Sequence, residues 1–442
     1  MSNPLLSSFD GLSERLEKLS TKTIAGRVVE TIGPVVKVAM PDVVIGQLCE
    51  FKNGNEFVCH GEVVGFDRDL AILAILGEAM GISPKTSVYQ MGTSATVEVS
   101  DELLGRVLDG MGQLADGKGP LIGPTIARPI YAKPPNPLER TIINKPMQTK
   151  IKALDGLLTI GEGQRIGVFA AAGVGKSTLL SQMVKGADCD IRVIALIGER
   201  GREVREFLEH SLDEESRAKS IIVCATSDRS ALERARAAYL ATSIAEHFRD
   251  QNKRVLLMMD SVTRFARALR EIGLSAGEPP ARSGFPPSVF ATLPRLLERS
   301  GTGKVGSITA VYTVLVEGDD MTEPIADETR SILDGHIVLC RDLAAANHYP
   351  AIDILQSASR VMHMVTSQEH RVAASKMREL MGAYKKAELL IKVGEYQAGT
   401  DLVLDEAISK WEQINQFLKQ GQEEFSPLEQ TTTALGALSS QK

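Results

Sequence analysis

From Ala170 to Ser177 the chain reads Ala-Ala-Ala-Gly-Val-Gly-Lys-Ser, and each residue type in that run suits the grip of a phosphate chain. Gly173 and Gly175 turn without a Cβ clash, so the backbone N–H groups of Ala171, Ala172, Gly173, Val174 and Gly175 converge on anionic oxygens. Lys176 brings a point charge toward the β and γ phosphates of ATP, and Ser177 offers a hydroxyl to Mg²⁺. The helix that opens there, with Thr178 in its first turn, adds a favourable dipole. Ala170 stands where the motif has its first glycine, a departure such loops tolerate because that residue still belongs to the strand end. The strand RIGVFA before the loop and the helix STLLSQMV after it supply the strand–loop–helix context that a chance Gly-rich turn lacks.

Two further carboxylates end apolar runs. RVLLMMD closes on Asp260, and ligands of an open parallel sheet sit beyond the C-terminal strand ends. An Asp there either caps the next helix or holds the shell of Mg²⁺; the phosphate loop favours the metal. Ile197-Gly198-Glu199-Arg200 ends another run. It places Glu199 to orient or deprotonate a water attacking the γ phosphate, although a surface Glu–Arg pair fits the same residues.

These groups need a scaffold. From Gln164 on, strand-like runs (RIGVFA, RVIALIG, SIIVCAT, RVLLMMD, SITAVYTVLV, HIVLC) alternate with helical stretches such as LERARAAYLATSIAEHFRD. Continuous β-branched runs between helices mean a buried parallel sheet covered on both faces, an α/β core. Upstream, from Ile24 to about Val99, short β-rich runs broken by Gly33-Pro34 and Asn53-Gly54 suggest a small barrel or sandwich. Prolines crowd residues 120–146, an extended connector. Beyond Ser367 the runs become helical, and the polar tail from Ser426 is expected to fray. Near the start, Leu5, Phe9, Leu12, Leu16 and Leu19 form one apolar stripe. That stripe either packs on its own domain or docks a partner.

The 442 residues carry 50 basic and 56 acidic side chains, a formal charge of −6. At about 100–200 residues per domain this length holds two to four folded units. With 43% apolar and 24% charged residues the chain reads as an ordinary globular protein. No run reaches the ~18 apolar residues of a membrane span, and the N-terminus lacks the basic and apolar regions of a secretion signal. Five scattered cysteines form no close pair, so a reducing cytoplasm is expected rather than zinc or disulfides.

Several runs together carry a resemblance: IGERGREVREF, MMDSVTRFARALREIGLSAGEPPARSGFPPSVF, and Pro350–Ser359 (PAIDILQSAS). They resemble the rotary-type ATPases, and VYTVLVEGDDMTEPIADETRSILDGHIVL is similar to the ATPases of type III protein secretion and flagellar export. The likeness runs from about Ile24 to Gln420. It implies a docking helix at 1–20, a β-barrel at 21–95, a RecA-like domain at 96–366 and a helical domain at 367–442. It also implies a homohexamer with nucleotide at subunit borders. Glu199 then matches the catalytic glutamate, Arg200 a residue of the nucleotide site, Asp260 the magnesium-side aspartate and Arg264 a site arginine. Arg360 matches an arginine supplied by the neighbouring subunit, which would neutralise charge on the transferring phosphoryl group, an effect of roughly 10³–10⁵ in rate. Tyr349 aligns with an aromatic that stacks on adenine; a core tyrosine is the plainer alternative. The implied partners are a stator-like regulatory protein on the N-terminal helix, a central stalk, a membrane export gate and chaperone–substrate complexes.

The function expected is ATP-driven release and unfolding of export substrates, by a cytoplasmic enzyme peripheral to the inner membrane. The texture of EGDDMTEP and ARSGFPPSVF favours an injectisome over a flagellum. The competing readings are a catalytic subunit of an ion-coupled ATP synthase, a ring helicase, or an assembly switch without turnover. Aromatics at 5% and the negative total leave no basic–aromatic strand surface, which disfavours nucleic acid.

Overall fold

The computed structural model describes residues 25–440, so the apolar stripe at 5–19 lies outside the described residues. Six strands form the first unit: β1 (Ala25–Ile32), β2 (Val35–Ala39), β3 (Gln47–Asn53), β4 (Glu56–Asp67), β5 (Leu70–Leu76) and β6 (Ser87–Ser94). They hydrogen-bond in the order β1-β2-β5-β4-β3-β6 and close into a barrel, with β6 antiparallel to β1. Inward residues such as Val28, Val36, Val38, Phe51, Val63, Leu73 and Val88 fill its interior. Closure leaves no strand edge unpaired.

The second unit is built on one large sheet. The strands of this unit, those of a separate β7-β9 ribbon included, are β7 (Thr96–Val99), β8 (Val107–Asp109), β9 (Ile126–Pro129), β10 (Arg165–Ala170), β11 (Ile191–Ile197), β12 (Ser220–Ala225), β13 (Arg254–Asp260), β14 (Gly301–Thr302), β15 (Ser307–Leu315), β16 (Gly335–Val338) and β17 (Ala358–Ser359). The sheet runs β17-β16-β10-β15-β13-β11-β12-β8, with β14 beside β15. Every pair from β16 to β8 is parallel, and β17 and β14 are antiparallel additions. All seven residues of β11 are buried, as strands covered on both faces must be. The helix Ala231–Asp250 lies against β11, β12 and β13, and a Ser230–Glu233 capping box starts it.

Two expectations change. β8 joins the sheet beside β12 although only Val107, Leu108 and Asp109 form it; backbone bonds from residues 113 and 115 cover its outer edge. Inside the proline-rich segment, β9 pairs with β7, with Pro129 at the end of the pairing where its missing N–H costs nothing.

The C-terminal helices are Gln368–Lys392, Leu402–Leu418 and Leu428–Ser439. Tyr384 and Trp411 stack across the first two, centroids 3.7 Å apart. The tail does not fray. Leu428–Ser439 packs on helices Gln368–Lys392 and Lys152–Leu157, with Leu435 fully buried and Thr431 bonded to Ser426 at 2.9 Å. Its threonines make the segment look polar, yet one face is closed. Between the helices, residues 420–426 strap onto the core. Gln420 accepts from Lys152 N–H at 2.8 Å, Gln182 donates to the Gly421 carbonyl at 2.9 Å, and Lys185 pairs with Glu423 at 2.9 Å. No helix among the described residues is long and apolar enough to cross a membrane.

Candidate active site

Four neighbouring strands, β10, β15, β13 and β11 in sheet order, deliver the chemistry toward their C-terminal ends. After β10 the chain turns through Gly173 (φ 81°) and Gly175 (φ 90°), conformations that suit glycine. Gly175 caps the helix Lys176–Gly186, its carbonyl accepting from Leu179 N–H at 3.0 Å. Lys176 Nζ contacts Asp260 Oδ1 at the end of β13 and lies 3.7 Å from Glu199 Oε1 beyond β11. Thr313 on β15 donates its hydroxyl to the same Asp260 Oδ1 at 2.7 Å. Oδ2 accepts no hydrogen bond from the described residues.

Arg264, on the helix Val262–Ser275, fixes Glu199. Its Nη1 donates to the Gly198 carbonyl at 2.5 Å and its Nη2 to Glu199 Oε2 at 3.3 Å. Gly198 (φ 69°) makes this possible, because a Cβ there would stand 2.7 Å from Arg264 Cδ. Glu199 is 8% exposed, and its Oε1 is buried with no hydrogen-bond partner. Burial pushes its carboxyl up to about 7, helped by the neighbouring carboxyl of Glu203 and the charge of Asp260, and opposed by Lys176 and Arg264. The coupling to Glu199 holds Glu203 below the usual range. A cavity of about 330 Å³ runs past Ser177, Thr178, Glu199, Glu203, Asp260 and Gln422.

The other expected residues separate. Ala171 and Val174 are buried under the loop. Tyr349 lies against Gly175, where a Cβ would meet its Cε1 at 3.1 Å; at 37% exposure it is no core residue. Arg200 points outward, 75% exposed, with only Glu203 Oε1 at 3.6 Å, so the site does not gather it. Arg360 is exposed beyond β17, its N–H bonded to Asp334 O at 2.9 Å. Ser359 pairs with Gly335 at the N-terminal end of β16. The length of β10, six residues, therefore separates Arg360 from its own phosphate loop, roughly 20 Å. Sequence reasoning passed over Glu203 and Thr313. An acidic residue four positions after Glu199 was a readable sign of the first; the second is visible only once β15 lies beside β13.

Ser177 and Asp260 offer the cavity oxygen donors, one neutral and one anionic with a free oxygen. That set suits Mg²⁺, which takes one or two protein oxygens and completes its shell from phosphate and water.

A phosphate loop opening onto a buried glutamate and a strand-end aspartate, on a parallel sheet, defines a RecA-like nucleoside triphosphatase. Residues 150–359 match the ATP synthase alpha/beta family nucleotide-binding domain, 28–92 that family's beta-barrel domain, and 366–437 the T3SS EscN ATPase C-terminal domain. The type 3 secretion system ATPase of Xanthomonas euvesicatoria is 53% identical over 96% of this chain and 96% of its own length. The flagellum-specific ATP synthase of Bacillus subtilis is 49% identical over 93% and 94%. Assembled EscN of enteropathogenic E. coli superposes with TM-score 0.90 at 48% identity, covering 94% of this chain and 100% of that one. EscN in complex with its central stalk EscO gives 0.86 at 47%, with the same coverage. The chain belongs to the ATPases of type III secretion and flagellar export, and it is an ATP hydrolase.

Proposed function

We propose that this chain hydrolyses ATP with Mg²⁺ at the borders of a homohexameric ring, and that the work strips chaperones from injectisome export substrates and unfolds them. The observation that carries the border site is the position of Arg360, at the end of the sheet opposite Lys176, Glu199 and Asp260. A guanidinium there serves the phosphate loop of another copy. EscN, assembled and with its central stalk, supports an oligomer and a stalk partner for this chain. The preference for the injectisome rests on the texture of EGDDMTEP and ARSGFPPSVF. The stator-like protein on the N-terminal stripe, the inner-membrane export gate and the cytoplasmic setting rest on the family resemblance.

Each residue has a task in the reaction. Backbone N–H groups from Ala171 to Gly175, with Ser177 and Thr178, take the phosphates, and Lys176 exchanges Asp260 for phosphate oxygens. Mg²⁺, held by Ser177 and Asp260, supplies charge neutralisation when bound. Glu199 Oε1 receives the proton of the attacking water, while Arg264 keeps Oε2 in place. Arg360 of a neighbouring copy neutralises the transferring phosphoryl group. Tyr349 beside Gly175 offers a face to the base.

Native mass measured against protein concentration, with ATPase rate on the same samples, tests this. Specific activity should rise as oligomer forms. Full activity in the monomer would overturn the border site.

A further inference from the structure

Asp260 ends β13 with two donors on one of its oxygens. Lys176 Nζ and Thr313 Oγ1 both meet Oδ1, the latter at 2.7 Å. The two donors differ in freedom. Lys176 sits on a flexible stem at the mouth of the loop and can leave for phosphate. Thr313 is fully buried in the middle of the sheet, on a strand hydrogen-bonded to β13 along Arg254–Met259. Its Oγ1 also lies 3.3 Å from the Met259 carbonyl. A hydroxyl has a single proton, and the shorter, charge-assisted bond to the carboxylate is the stronger use of it. When Lys176 departs, the Thr313 bond to Oδ1 stays.

We infer that Thr313 is a positioning residue for the metal: by holding Oδ1 from inside the sheet, it fixes the carboxylate of Asp260 and presents Oδ2 toward the cavity. Without that bond the carboxylate rotates about its terminal torsion, where the barriers are broad and low. Oδ2 would then have to be ordered by the metal itself. The inference rests on reading Asp260 as the metal-side carboxylate. It assigns a function to a fully buried hydroxyl in the interior of the sheet.

The test uses full-length protein and a fluorescent ATP analogue, titrated in Mg²⁺ and again in EDTA. Thr313→Val keeps the shape and deletes the hydroxyl; Thr313→Ser keeps the hydroxyl; Asp260→Asn removes the carboxylate charge. Thr313→Val should lose roughly tenfold of the Mg²⁺-dependent gain in affinity, the scale of a hydrogen bond to a charged group. Its affinity in EDTA should be unchanged, and Thr313→Ser should restore the gain. Equal losses with and without Mg²⁺, or a gain as large as in the unaltered protein, would overturn the inference. If Thr313→Val unfolds, Thr313→Ser decides: a Mg²⁺-dependent gain below that of the unaltered protein, with EDTA affinity intact, overturns it, and a full gain supports it. The Asp260→Asn arm separates the two readings. A full Mg²⁺ gain in that variant sinks the metal reading itself, whereas its loss there beside a normal Thr313→Val sinks only the role of Thr313.

Discussion

Glu199 sits between opposing influences. Burial, the partner carboxyl of Glu203 and the charge of Asp260 favour its protonated form, while Lys176 and Arg264 favour the carboxylate. The net rise to about 7 makes it a stronger base than a solvent-exposed glutamate and leaves it half ionised near neutrality. Only the carboxylate can accept a proton. kcat/KM should therefore climb as pH rises through about 7 and level off above it, a limb read from initial rates across pH. Glu199→Gln should still bind nucleotide but turn over ~10²–10⁴-fold more slowly, without that limb. An unaltered turnover number would mean that another group positions the water. The phosphate loop was legible in the sequence because its chemistry lies in consecutive residues. Glu199 and Asp260 were legible as carboxylates ending apolar runs. Of the groups that tune them, Glu203 left a readable spacing four residues after Glu199, whereas Thr313 and the hydrogen bonds of Arg264 reach them only once β15 and the helix Val262–Ser275 come together with β13 and β11.

At the scale of elements, legibility followed burial. The long apolar runs could only be central strands, and β10, β11, β12, β13, β15 and β16 occupy them. β8 carried no such signal. Three residues between Gly105 and Gly110 become a strand because Val107, Leu108 and Asp109 find partners on β12. The tail misled in the other direction, since its threonines dilute an apolar face whose buried anchor is Leu435. Leu435→Ala should cost about 2–5 kcal/mol, the range for a buried leucine truncated in a closed core. Urea unfolding should show it as a lower midpoint with an unchanged slope. A loss within ±0.5 kcal/mol would mean that the tail helix does not contribute to the core, since only surface changes are that mild.

At the scale of the molecule, the proposed border site takes its phosphate loop from one copy and its arginine from another. Mixing variants makes this measurable. Lys176→Ala and Arg360→Ala should each be nearly inactive. Mixed and reassembled, they should regain part of the ATPase rate, at borders where an intact loop from one copy meets an intact arginine from the other. No recovery at any ratio would place the finger in its own site. The contact between Gly175 and Tyr349 has a consequence of another kind, for descent. The left-handed turn at residue 175 and the ring 3.1 Å from its missing side chain belong to distant parts of the chain, yet neither can drift freely in the presence of the other. A lineage that replaced the glycine would first have to shrink the aromatic. The two codons are thus tied together through the fold, and tolerated variation should change the ring before it changes the turn.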